Sequence, residues 1–297
     1  MIRRTFVKGA LTAAVAVALG AGGLCLTGCG GSGGSAGGTT SGGSGAGAAQ
    51  EAVELQIFAA NSLEKAMTEV QKYYTSLHPE VTFADSQFKA SGDLVEMLVA
   101  GAPADILITA SSGTMDSAEA FVVPETRMSM FTNDLIVCAS EKSKLKINDL
   151  KDLKSKKVKK IAVGDPAFVP AGKYANQSLY SAEITGDRMY SAAEGEGGSY
   201  GGGIQDKIAL ADKVGTCAAW AASGNVDVGF IYSSDLYRYE GIKNIYTVPE
   251  ELHKTIIYPG AVINTSKYQE QAETFLKFCM TDPEALKIWQ ENGFELK

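Results

Sequence analysis

Histidine is nearly absent from this chain. His78 and His253 are the only two. His78 precedes Pro79 at an expected helix end and His253 falls in a polar turn. Both read as surface residues, which leaves histidine-based acid–base catalysis little to stand on. Cysteine is sparse as well, and neither residue type clusters at metal-ligand spacing. Cys138, Cys217 and Cys279 lie far apart, each within an apolar strand or helix pattern, so they are expected as buried free thiols, with at most one disulfide among them. The acidic residues lack the oxygen-ligand spacing of a calcium loop. No glycine loop ends in Gly-Lys-Ser or Gly-Lys-Thr, which removes the phosphate cradle of nucleotide hydrolases. Nor is there a basic run with interleaved aromatics. With a formal net charge of -7, the composition argues against nucleic acid as a partner.

What is present begins with a leader. Met1-Ile2-Arg3-Arg4-Thr5-Phe6-Val7-Lys8 is a basic head, and the chain then stays uncharged from Gly9 to Gly28. This is the pattern of a signal peptide over residues 1–28, whose glycines and small residues before Cys29 favour cleavage over a permanent span. Leu26-Thr27-Gly28-Cys29 resembles the lipobox of bacterial lipoproteins, which makes Cys29 the expected lipidation site. Arg3-Arg4 with Phe6 and Lys8 resembles a twin-arginine export signal, although Ile2 stands where Ser or Thr is usual, so the general secretory route stays open. Residues 29–50 are almost entirely Gly, Ser, Ala and Thr and read as a flexible tether. Loss of Arg3, Arg4 and Lys8 takes the mature chain to a net charge of -10.

From Glu51 onward, strand and helix patterns alternate. Leu55 to Ala60 reads as a buried strand, and Leu63, Met67, Val70 and Tyr74 then recur at helical spacing, which makes Ser62 the expected N-cap. Val81 to Ala84 reads as a second strand, followed by a helix opening at Ser91-Gly92-Asp93. Gly101-Ala102-Pro103 stops that helix, and Ala104 to Ala110 is a continuous apolar run suited to a buried strand. Ser112 to Phe121 is expected as a short helix and Leu135-Ile136-Val137-Cys138 as extended. Asn148 to Leu153 suggests one helical turn. Lys160 to Asp165 opens a second series that enters a helix after Pro170, with proline at its first position. Residues Thr185 to Gly203 are irregular and rich in glycine. Ile208 to Ala222 looks helical, Val226 to Tyr232 extended, and Ile245 to Val248 and Ile256 to Ile263 extended again. Tyr268 to Met280 and Pro283 to Asn292 close the chain as helices. Such alternation points to α/β sheets.

Catalytic patterns are weak. Gly197-Gly198-Ser199-Tyr200-Gly201 has the spacing of a nucleophile elbow, but no strand precedes it and no helix follows at once, so Ser199 is a poor candidate for an exported hydrolase. Glu250-Glu251 and the pair Glu194 and Glu196 sit in expected exposed turns. The 185–203 segment could cover a site, but a tolerated insertion is the preferred reading.

The strand-to-helix joints accumulate instead. They fall at Ser62, Ser91, Ala171 and Val214, and Tyr232 ends a buried strand. Ligands of open α/β sheets bind outside the carboxyl ends of strands, where free helix-start N–H groups favour anions. Five such positions suggest an oxyanion site of neutral donors.

At these residues the chain resembles the molybdate-binding proteins of ABC importers. The resemblance spans Glu54 to Lys297 and rests on Phe58-Ala59-Ala60-Asn61-Ser62-Leu63, Gly101 to Ile108, Val163-Gly164-Asp165-Pro166 with Val169-Pro170-Ala171-Gly172-Lys173-Tyr174, and Ile231-Tyr232-Ser233-Ser234-Asp235. It implies a two-lobed solute-binding fold with mixed, mostly parallel sheets flanked by helices and a ligand cleft between the lobes. The lobes would be residues 51–133 with 253–297, and 134–252. It also implies that two serines, two backbone N–H groups and a tyrosine hydroxyl hold the anion, roles that fall on Ser62, Ser91, Ala171, Val214 and Tyr232, with no direct metal ligand from the protein. Molybdate or tungstate would be cargo, with no cofactor and no catalysis. The implied partners are a permease and its ATPase, and the membrane through the lipid anchor at Cys29, for an extracytoplasmic monomer. Three departures stand out: Asn61 replaces the usual Ala or Gly, the serine run around Ser91 is reduced, and the insertion before Val214 is long.

A proton-free tetrahedral dianion only accepts hydrogen bonds, so a pocket made of donors suits it. Phosphate near neutral pH keeps a proton that such a pocket leaves unpaired. Sulfate has no such proton and stays open as an alternative ligand.

Overall fold

The computed structural model describes residues 52–183 and 186–296. The expected leader, the Cys29 lipidation site and the tether lie outside the described residues.

The strands in chain order are Val53–Leu55 (β1), Ile57–Ala60 (β2), Val81–Phe83 (β3), Gln87–Lys89 (β4), Ile106–Ile108 (β5), Met128–Thr132 (β6) and Leu135–Ser140 (β7). They continue with Ile161–Gly164 (β8), Ile208–Ala211 (β9), Val228–Tyr232 (β10), Ile242–Thr247 (β11), Ile257–Val262 (β12) and Glu295–Leu296 (β13). The helices are Glu64–Leu77 (α1), Ser91–Val99 (α2), Ser112–Ser117 (α3), Pro170–Ser181 (α4), Val214–Ser223 (α5), Gln269–Thr281 (α6) and Pro283–Glu291 (α7).

Two large sheets result. A six-stranded sheet has the order β13-β6-β12-β5-β2-β4, a five-stranded sheet has the order β11-β7-β10-β8-β9, and β1 pairs only with β3. The chain enters the second sheet at β7 and returns to the first at β12. Both sheets are mixed. Strands β4, β2 and β5 run parallel, as do β9, β8 and β10, whereas β6, β12 and β13 in one sheet and β7 and β11 in the other pair antiparallel. The parallel halves matter most here, because their carboxyl ends point the same way and feed helices.

Burial explains the layers. β5 is buried at every residue, as expected of a strand covered on both faces. Helix α1 buries Ala66, Met67, Val70, Gln71 and Tyr74, one face at helical spacing. Tyr74 meets Phe275 and Phe278 of α6 edge-on, with ring centroids 5.0 and 4.8 Å away. Such pairs add about 0.5–1.5 kcal/mol beyond area burial. Trp289 of α7 packs on Phe131 of β6 at 4.2 Å. Asp282 caps α7 by accepting from the N–H groups of Glu284 and Ala285 at 3.0 Å, and Gly224 ends α5 at φ +74. Cys138, Cys217 and Cys279 are buried free thiols. Among the described residues no helix is long and apolar enough to cross a membrane.

Four expectations need correction. Ser62 is not an N-cap: Asn61–Leu63 form a 3-10 turn ahead of α1, with no side-chain cap on either start. The stretch Ile208–Ala211 is strand β9 and not helix, because it pairs parallel with β8 from Ile161↔Ile208 to Gly164↔Ala211; only Val214–Ser223 is helical. The strand that leads into α2 is β4, which pairs with β2, while the expected strand at Val81 belongs to the β1–β3 ribbon. Finally, His253 is not a simple surface residue, since its Nε2 is buried without a partner and its ring lies 5.8 Å from that of Tyr174.

Candidate oxyanion site

The carboxyl ends of both parallel halves meet at one cavity. It is lined by Ala60, Asn61 and Ser62 after β2, by Lys89, Ala90 and Ser91 after β4, and by Ala110 beyond β5. From the second sheet come Val169, Pro170 and Ala171 after β8, Val214 after β9, and Tyr232 at the end of β10. All five residues singled out from the sequence are therefore brought together, as the strand-end rule anticipates.

Each reaches the cavity differently. Ser62 sits in the 3-10 turn, and its Oγ lies 2.9 Å from Tyr258 Oη of β12. Ser91 opens α2, and its Oγ accepts the Ala110 N–H at 3.0 Å, so that its own proton is free for another acceptor. Ala171 follows Pro170 in the first turn of α4, and Val214 is the first residue of α5. Backbone N–H groups in a first turn have no acceptor within their own helix and carry the positive end of its dipole. Helix α4 sits unusually close to β8, because a Cβ on Gly172 would fall on the Gly164 carbonyl. Tyr232 has its N–H held by Asp235 Oδ2 at 3.1 Å, while its hydroxyl is buried with no hydrogen-bond partner.

Ser62, Ser91 and Tyr232 are each 1% exposed, so these walls of the cavity are buried. Its volume of about 10 Å³ is near the room one water needs. That scale excludes an extended organic ligand, and a tetrahedral oxyanion, several times larger than a water, requires the walls to part before it is seated. A larger hollow, about 560 Å³, is an open groove along α1 beside Thr68, Gln71, Phe83 and Ser86, and contains none of the five residues.

Electrostatics favour an anion. No carboxylate lines the cavity. Burial holds the Tyr232 hydroxyl well above its ordinary pKa, so it stays a neutral donor, and Tyr258 behaves alike. Behind the wall, burial pushes the Asp235 carboxyl up, opposed by Arg238, whose Nη1 is 2.7 Å from Asp235 Oδ1.

Two residues of the site region, Lys89 and Tyr258, escaped the sequence reading. Lys89 is an exposed cation at the rim. Its signal was its place two residues before Ser91. Asn61 lines the wall, and Tyr258 supports Ser62 from a strand almost two hundred residues away. Elsewhere, Ser199 lies 3.4 Å from Ser191 Oγ in an exposed loop. Among the described residues no cluster of His, Cys, Asp or Glu could hold a metal ion. The described part of the glycine-rich segment packs on α4, where Asn176 Nδ2 donates to Gly195 O at 3.0 Å and Gln177 Nε2 to Glu194 O at 3.1 Å. None of it lines the cavity.

Comparison with known proteins bears on the family and the fold. The molybdate-binding protein ModA of Haemophilus influenzae is 29% identical over 253 residues, covering 83% of this chain and 91% of that protein. The Bacillus subtilis protein YvgL, named as an ABC transporter substrate-binding lipoprotein, is 25% identical over 82% of this chain and 87% of its own length. Among solved structures, a substrate-binding domain assigned to a molybdenum ABC transporter of Clostridium difficile superposes with a TM-score of 0.60 at 34% identity, covering 82% of this chain and 99% of that one. The family model for bacterial extracellular solute-binding proteins matches residues 55–295. This match, over most of the chain, shows that the chain belongs to the bacterial extracellular solute-binding proteins.

Proposed function

We propose that this protein is the extracytoplasmic receptor that captures molybdate or tungstate and hands it to the permease of an ABC importer driven by its ATPase. The observation that carries this reading is the convergence of Ser62, Ser91, Ala171, Val214 and Tyr232 on one small cavity without a carboxylate. Two serine hydroxyls, two helix-start N–H groups and one tyrosine hydroxyl are all donors. Hydrogen bonds to a charged partner contribute about 1.5–3 kcal/mol each, so five of them bind a dianion tightly without a buried lysine or arginine. Affinity then depends on local dipoles, and added salt has a modest effect, since Lys89 at the rim is exposed and screened.

The chain works as two lobes, residues 51–133 with 253–297 and residues 134–252. Ser62 and Ser91 stand in the first, and Ala171, Val214 and Tyr232 in the second. An ion bonded to both favours the closed form, which the permease distinguishes from the open one. Cys29 carries the lipid that holds this monomer at the membrane, and residues 30–50 are its tether. The ion is cargo; no catalysis takes place.

Calorimetric titration of the purified chain with molybdate, tungstate, sulfate and phosphate tests the reading. Molybdate and tungstate are expected to bind at least a hundredfold more tightly than phosphate. A preference for sulfate would assign the site to that anion, and heat from none of them would refute the receptor reading. Loss of palmitate labelling in Cys29→Ala checks the anchor.

A further inference from the structure

Direct protein bonds between elements of the two sheets flank the cavity, among them two made by residues that line it or stand next to its lining. On one side Asn61, adjacent to Ser62, accepts the Gly215 N–H at 3.3 Å through its Oδ1, and Gly215 is adjacent to Val214. On the other, Gly92, adjacent to Ser91, donates its N–H to Phe168 O at 2.9 Å, just ahead of α4. Both contacts need glycine. A Cβ on Gly215 would stand 2.7 Å from Asn61 Oδ1 and collide with Tyr239 Oη, and one on Gly92 would stand 2.7 Å from Phe168 Cα.

The two differ in one respect. Gly92–Phe168 is a main-chain bond, which most side-chain changes leave intact. Asn61–Gly215 depends on a single amide, buried to 4% exposure, and an alanine in its place has no acceptor to offer. The amide is itself held: Asn61 Nδ2 lies 3.4 Å from Glu64 Oε2, which takes Arg238 Nη2 at 2.8 Å. Arg238 is in turn fixed on the second-sheet side by the fully buried Asp235. Because the Glu64 carboxylate is half-exposed, this ion pair serves to orient Asn61 more than to add binding energy.

We propose that Asn61 is a positioning residue that latches the two sides of the cleft together through the Gly215 N–H, and so sets how long the closed site retains its ion. The inference concerns the same cleft as the receptor reading but not the identity of the ion. With the latch, the closed arrangement is favoured even before the ion arrives, and release must break the Asn61 bond as well as the bonds to the ion.

Asn61→Ala tests this by stopped-flow tryptophan fluorescence with molybdate, Trp220 of α5 being the reporter, and by X-ray scattering of the ion-free chain. Release should accelerate roughly fivefold, the worth of one net intramolecular hydrogen bond, with association changed less than about twofold. The ion-free variant should have a larger radius of gyration than wild type. Gly215→Ala should act in the same direction, and the double variant should be no worse than the more severe single one, because both remove the same bond. Additive effects, or a release rate and scattering equal to wild type in a folded Asn61→Ala, would overturn the proposal. Should wild type bind no oxyanion, the receptor reading fails, and the scattering comparison alone decides the latch.

Discussion

Tyr232→Phe separates the demands of the ion from those of the fold, because it should move them in opposite directions. In the structure the Tyr232 hydroxyl is buried with no hydrogen-bond partner. An unpaired buried polar group costs about 1–3 kcal/mol, and the small cavity beside it allows at most partial relief by a water. Deleting the oxygen should therefore stabilise the ion-free chain by about 1 kcal/mol. For a folded body of this size that corresponds to a rise of about 2–4 °C in Tm. With the ion present the hydroxyl becomes one of five donors, and its loss removes a charge-assisted bond of about 1.5–3 kcal/mol, or roughly ten- to hundredfold in Kd. The assay is differential scanning calorimetry with and without molybdate, joined to isothermal titration. Tm should be higher in the variant without ion and lower at saturating ion. General damage to the fold lowers both and cannot imitate this crossing. A lower ion-free Tm, or an unchanged Kd, would refute the reasoning.

Ser62→Ala should weaken molybdate about tenfold or more by calorimetry, whereas Tyr258→Phe, which removes only the hydroxyl 2.9 Å from Ser62 Oγ, should cost less because the serine keeps its proton for the ion. Gly172→Ala should lower Tm by several degrees and weaken binding together, since the new methyl meets the Gly164 carbonyl and pushes α4, with the Ala171 N–H, away from the cavity. Alkaline pH should destabilise the chain: burial pushes the Cys138 thiol from 9.0 up to about 12, so its contribution is intact below the unfolded value and declines as pH rises from 9 towards 12. The slope is about 1.4 kcal/mol per pH unit for each such group. Urea midpoints that stay flat between about pH 8 and 11 would contradict this.

How far the sequence carries can be seen at particular residues. The apolar runs at β5 and β10 and the one-sided helices α1, α6 and α7 are local patterns, and periodicity reads them directly. Ile208-Ala209-Leu210-Ala211 defeats the same reading, because alanine and leucine favour a helix and only pairing with β8 makes the segment a strand. Ser62 shows a subtler failure. Its place at a strand-to-helix joint is legible, yet its hydroxyl does not cap α1 but turns towards Tyr258, a partner from the returning segment of the chain. The five positions could be named one by one because each is a local event at a strand end. Which joints face one another is set by how the two sheets pack together, and no spacing along the chain encodes it. That is why Asn61 could be noticed as an unusual residue beside Ser62 while its bond to Gly215 stayed hidden. A cleft protein of this kind therefore discloses the residues at its strand ends in sequence more readily than the contacts that hold its two sides together, the contacts to which the proposed latch assigns the rate of release.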